Sequence, residues 1–128
     1  MILGFKEQFK EPILKGTKIH TIREDKHNRW RQWRLIQFAT GVRTKKYNCF
    51  EELPCTGTQR IEIKHQHTDV FVYVDGMYLY DSIAPHNLSI NKMLSLAKND
   101  GFKTIDDFFM WFNKDFEGKI IHWTDLRY

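Results

Sequence analysis

In the stretch GTKIHTIRED, residues 16 to 25, a lysine (Lys18), a threonine (Thr21) and an arginine (Arg23) stand close together. A lysine held out of water gives up its proton more readily, and the neutral amine can then draw the proton from a threonine hydroxyl as that oxygen attacks an acyl carbon. In solvent the same lysine is an ordinary cation, so the chemistry depends on burial. Lys18 and Thr21 are three positions apart and would leave opposite faces of a straight strand; a shared site requires a bend, which a turn at Gly16 supplies.

A second candidate is NRWRQWRLIQFATGVRTKK, where Trp30 and Trp33 interleave with Arg29, Arg31 and Arg34, followed by Arg43, Lys45 and Lys46. Cations neutralise phosphate and aromatic faces stack on unpaired bases, the pairing that single-stranded nucleic acid requires. Equally, both tryptophans could be core residues capped by arginines whose heads reach water. Residues 26 to 46 contain no acid, and the chain carries a formal net charge of +4.

Metal chemistry is weakly indicated. His65 and His67 would share one side of a strand, but no cysteine pair or HExxH motif accompanies them, so neither a metal nor another cofactor is expected. Cys49 and Cys55 read as small core or loop residues. His122, within the apolar run IIHW, reads first as a hydrogen-bonded core histidine and second as a site residue.

These residues need a scaffold. At 128 residues, with 41% hydrophobic and 15% aromatic content, the chain suits one folded domain over 1–128 rather than a disordered segment. Phe5, Phe9, Ile13 and Leu14 have helical spacing, ended by Lys15-Gly16. Strands are expected from Trp33 to Ala39, at Ile61 to Lys64, and in VFVYVDGMYLY, whose Asp75-Gly76 suits a tight hairpin. Ile90, Met93, Leu94 and Ala97 form a helical stripe stopping near Asp100-Gly101; Thr104 should cap a second, aromatic helix; KIIHW closes the chain as a strand. This order predicts an α+β fold, a small curled sheet or barrel with helices at its side. No apolar run reaches membrane-spanning length, and neither a signal sequence nor a disulfide framework is evident, so a cytoplasmic monomer with no membrane association is expected.

Taken in order, Gly16-x-Lys18-x-x-Thr21-x-Arg23, the Arg29-Trp30 element, Gly41-x-Arg43-Thr44-Lys45, the Ala97–Phe102 segment with its DGF, the aromatic helix after it and IIHW resemble the ASCH domain, a branch of the PUA-like superfamily. The resemblance spans nearly the whole chain. It implies a PUA-like small β-barrel flanked by an N-terminal helix and two helices in the C-terminal half, with the motif lining a cleft for RNA or a modified nucleoside. One small bacterial branch with this motif hydrolyses N4-acetylcytidine, using a lysine and a threonine of the motif and a glutamate from the later helix region. Lys18 and Thr21 match those positions, as base and nucleophile, and Arg23 matches the motif arginine. The glutamate's place falls at or beside Asp100, one methylene shorter.

The first expectation is therefore an RNA-binding or nucleoside-binding ASCH domain, its ligand held by Arg23, Arg29, Trp30, Arg43 and Lys45. The alternative is an amidohydrolase acting through Lys18, Thr21 and Asp100, or a ribonuclease using similar residues. A partner-binding scaffold with an aromatic interaction surface is the third.

Overall fold

A computed structural model describes residues 1–128. The fold is α+β: eight strands in two sheets with three α-helices. Strand β1 (Ile2–Phe5) is followed by a 3-10 turn (Glu7–Phe9) and helix α1 (Lys10–Lys15), then β2 (His20–Arg23) and β3 (Leu35–Thr40). Next come β4 (Asn48–Pro54), β5 (Gly57–Gln66), β6 (Asp69–Val74) and β7 (Met77–Asp81), helices α2 (Asn87–Asn99) and α3 (Ile105–Trp111), and closing strand β8 (Phe116–His122). No helix is long and apolar enough to cross a membrane.

One sheet has the order β1-β3-β4 and the other β2-β8-β5-β6-β7. Their strand pairing does not close into a barrel. β1 and β2 are edge strands, β1 pairing only with β3 and β2 only with β8, and the Arg23 guanidinium donates to the Gly4 carbonyl oxygen at 2.6 Å, a side-chain bond from one sheet to the other. The larger sheet packs Ile61, Ile63, Val72 and Ile120 against Met93 and Leu96 of α2 and Phe108 of α3. The smaller sheet packs Leu3, Phe5, Ile36 and Phe38 with Phe9, Ile13 and Ile121.

Local chemistry explains most boundaries. Asp75 and Gly76 both take positive φ, 52° and 78°, as the hairpin between β6 and β7 demands. Thr104 Oγ1 accepts from the Asp107 amide at 3.0 Å and caps α3. The N-terminal helix is shorter than its apolar spacing predicts. Pro12 has no amide hydrogen and fits only in a first turn, so α1 starts at Lys10, and Ile2–Phe5, freed from the helix, runs parallel to β3. Leu14, expected on the buried stripe, is about half exposed. Strand β4 has no apolar alternation to announce it; its residues are exposed or half-buried. The expected His65/His67 pair is also undone, because β5 ends at Gln66 and His67 enters a turn at φ 56°.

Candidate functional site

The opening motif lies where α1 hands the chain to β2. Gly16 adopts φ 78° as the helix C-cap, and the Thr17 and Lys18 amides both donate to the Pro12 carbonyl. Lys18 thus sits in a bend ahead of the strand, while Thr21 and Arg23, two apart on β2, share a face. The bend brings Lys18, Thr21 and Arg23 to one cavity of about 280 Å³, to which Asp100, at the end of α2, adds a carboxylate. Phe5, Phe9, Phe102, Trp111 and Phe112 give it aromatic walls.

Lys18 and Asp100 are buried, 2% and 3% exposed, and paired. The Lys18 ammonium donates to the Asp100 carbonyl oxygen at 2.6 Å and reaches its Oδ1 at 3.4 Å, with the Phe9 ring centroid 4.9 Å away. Burial pushes the Lys18 ammonium below its ordinary pKa; Asp100 opposes that shift and nearby Arg23 adds to it. Gly101 makes the approach possible: its φ is 98°, and a Cβ there would lie 3.0 Å from Phe9 and 3.1 Å from Lys18.

Thr21 is buried, and its Oγ1 accepts from Arg23 Nε at 3.3 Å, leaving the hydroxyl hydrogen free to be donated. The guanidinium lies over the Phe5 ring at 4.8 Å, and burial lowers its pKa against the pull of Asp100. With Nε on Thr21 and one Nη2 hydrogen on Gly4, Arg23 still has donors for a ligand. On the rim, Lys6 Nζ stands 4.9 Å from the Trp111 ring centroid.

Behind Asp100 is a buried network that sequence reasoning missed. The Tyr128 hydroxyl donates to His20 Nε2 at 2.6 Å, and in the matching tautomer His20 Nδ1 donates to Asp100 Oδ1 at 3.1 Å. Asn99 Nδ2 donates to the same tyrosine oxygen. Burial keeps His20 neutral by lowering its pKa, against Asp100, and raises that of Tyr128. Next to it, fully buried His122 donates from Nε2 to Gln59 Oε1 at 3.1 Å, while its Nδ1 has no partner. Burial, then the neighbouring His20 and Arg127, push His122 down to about 3. The core reading of His122 is the one realised. His20 sits inside the opening motif, and its spacing alone gives no sign of a partner 108 residues away.

The basic segment divides. Trp30 does not face a ligand: it is 5% exposed and packs in the core of the smaller sheet. Asp25 secures it, its carboxylate accepting from the Arg29 and Trp30 amides and pairing with Lys119 at 3.0 Å. Burial would raise the Asp25 pKa, but the Trp30 and Arg29 amides and Lys119 together hold it low. Arg29, Arg43 and Lys45 are exposed and lie outside the cavity lining. Trp33, in contrast, is 70% exposed.

A larger hollow of about 620 Å³ lies among β7, α2 and residues 126–128, lined by Met77, Tyr78, Asn91 and Ser95. Its charged residues are all exposed, whereas the smaller cavity holds the buried pair, so the site is placed there. No group of three or more His, Cys, Asp or Glu is arranged to hold a metal ion. Comparison with protein families, curated proteins and solved structures finds no match to this chain.

Proposed function

We propose that this chain is an ASCH-type domain of the PUA-like kind, its two sheets taking the part of the barrel, and that it binds a nucleoside unit of RNA in the Lys18–Thr21–Arg23–Asp100 cavity. The observation that carries this reading is the convergence on one aromatic-walled cavity of the motif residues and Asp100, 82 residues from Lys18. A cavity of about 280 Å³ lies near the lower end of small-molecule sites, ~300–1,000 Å³, and suits one base or nucleoside rather than a length of strand. The aromatic walls supply stacking, Thr21 and Arg23 offer donors to carbonyl or phosphate oxygens, and Asp100 offers an acceptor to an exocyclic amine.

Titration with cytidine and with N4-acetylcytidine, followed by calorimetry, tests the reading. Binding by the wild type that weakens at least tenfold in Thr21→Val and Arg23→Ala is expected; no binding of either nucleoside defeats it.

Amidohydrolysis is the second reading, favoured by a buried Lys18 beside a carboxylate in the cavity that holds Thr21. Thr21 Oγ would form a bond to the acyl carbon, its proton passing to Lys18. The amide C–N bond would break as Lys18 relays that proton through Asp100 to the leaving amine, with Arg23 on the oxyanion; water would then attack the acyl–Thr21 ester, its oxygen leaving with the acyl group as the acid and one of its protons returning to Thr21 Oγ. Binding ranks first because Lys18 Nζ donates to the Asp100 carbonyl and carboxylate oxygens and makes no hydrogen bond to Thr21 Oγ1, whose one partner is Arg23, whereas a base must reach that hydroxyl. Release of cytidine from N4-acetylcytidine above a Lys18→Ala control would reverse the ranking.

A further inference from the structure

Residues 31 to 34 form a tight turn, closed by the Arg34 amide donating to the Arg31 carbonyl at 3.2 Å. Trp33 is its third residue and has φ 71°, a left-handed conformation that such turns reserve for glycine and that bulky side chains rarely adopt. The backbone is anchored there: the Trp33 amide donates to the Cys55 carbonyl at 2.6 Å, and the Cys55 amide to the Arg34 carbonyl at 2.8 Å. Strained residues persist where the surroundings hold them, and strain of this kind collects at functional sites. Packing does not explain Trp33, because its side chain is 70% exposed. Exposed Arg31 and half-buried Arg34 bracket the turn, within a segment that has seven cations and no acid from residue 26 to 46.

We infer that Trp33 is a stacking platform for an unpaired base of single-stranded RNA, with Arg31 and Arg34 on the adjoining phosphates. An exposed aromatic side chain on an anchored turn, flanked in the chain by Arg31 and by Arg34, whose Nη1 donates to Met1 Sδ and whose other donors have no partner, offers the π-face and the charge that single strands need, with no demand on sequence. An acidic protein would use the arginines but has no planar bases to cover the indole. This is a binding point separate from the cavity, whose lining contains none of the turn's residues. It rests on the preceding reading only for the class of ligand.

The test is Trp33→Gly. Glycine takes the observed φ without strain, which offsets the freedom it adds to the unfolded chain, so the variant keeps the fold and melts close to the wild type. Fluorescence anisotropy with a labelled RNA of about eight nucleotides at low salt should show ~10-fold to 100-fold weaker binding by the variant, the worth of one stacked base. Trp33→Phe should recover part of the loss, and Arg31→Ala should reduce the slope of affinity against salt. Cytidine binding in the cavity, measured by calorimetry, should be unchanged in Trp33→Gly. Equal RNA affinity in Trp33→Gly and wild type, or no RNA binding by the wild type, overturns the inference. A wild type that binds the RNA through Trp33 but not cytidine overturns only the cavity reading.

Discussion

Buried His122 should make the fold sensitive to mild acid by a calculable amount. Its folded-state pKa is about 3 against an ordinary 6.5, so between those values the unfolded chain takes up a proton that the folded chain refuses. The contribution is complete above the unfolded value and falls as pH drops through the window from 6.5 towards 3. Going from about pH 7 to about pH 5, the proton taken up by the unfolded histidine costs roughly 2 kcal/mol of folding stability. His20, also buried with its pKa lowered, takes up a proton in the unfolded chain over the same interval, so the comparison must be with His122→Phe, which removes the His122 titration and the unpartnered Nδ1 but leaves His20 in place. Urea unfolding of both proteins at the two pH values gives four stabilities. The wild type should lose ~2 kcal/mol more than the variant between them, whatever their stabilities at neutral pH. An identical loss in both proteins would show that His122 titrates in the folded chain as it does in the unfolded one, and a smaller loss in the wild type that it is protonated when folded; either would overturn the account of its burial.

Asp100→Asn should cost about 3–5 kcal/mol at neutral pH, since it leaves the Lys18 ammonium buried without a counter-charge. The deficit should shrink as pH rises and Lys18 sheds its proton; urea unfolding at neutral and alkaline pH measures both, and a neutral substitution would contradict the buried pair. Gly101→Ala should cost ~1–3 kcal/mol by thermal melting, because φ 98° strains any L side chain and contacts at 3.0 Å to Phe9 and 3.1 Å to Lys18 would force those neighbours to shift.

Features set by near neighbours were the legible ones. The Asp75-Gly76 hairpin, the Met93–Ala97 stripe and the Thr104 cap each follow from residues within one turn or one strand pair. Parallel pairing of β1 with β3 was hidden because nothing local marks a partner about 35 residues away, and the helical spacing of Phe5 and Phe9 pointed to a different element. Trp30 and Trp33 have almost the same flanks in sequence. The fold separates them by tying the Trp30 amide to Asp25 and turning the chain left-handed at Trp33, neither of which composition reveals. In the cavity, Lys18, Thr21 and Arg23 stand close together in the sequence, and the turn at Gly16 that lets them share a cavity is visible there, whereas their use as a site comes from the resemblance of the motif. The His20–Tyr128 support behind Asp100 depends on contacts between distant parts of the chain and was not legible.

The bond from Arg23 to Gly4 has a consequence for recognition. The guanidinium that faces the cavity also clips the edge of one sheet to the other, so it is fixed before any ligand arrives. A free arginine loses rotamer freedom on contact with its ligand, and that loss weakens binding; here folding has already imposed it. Because the same group holds both contacts, an occupied cavity should slow amide exchange along Ile2–Phe5, the strand that lines the cavity at Gly4 and Phe5 and pairs only with β3.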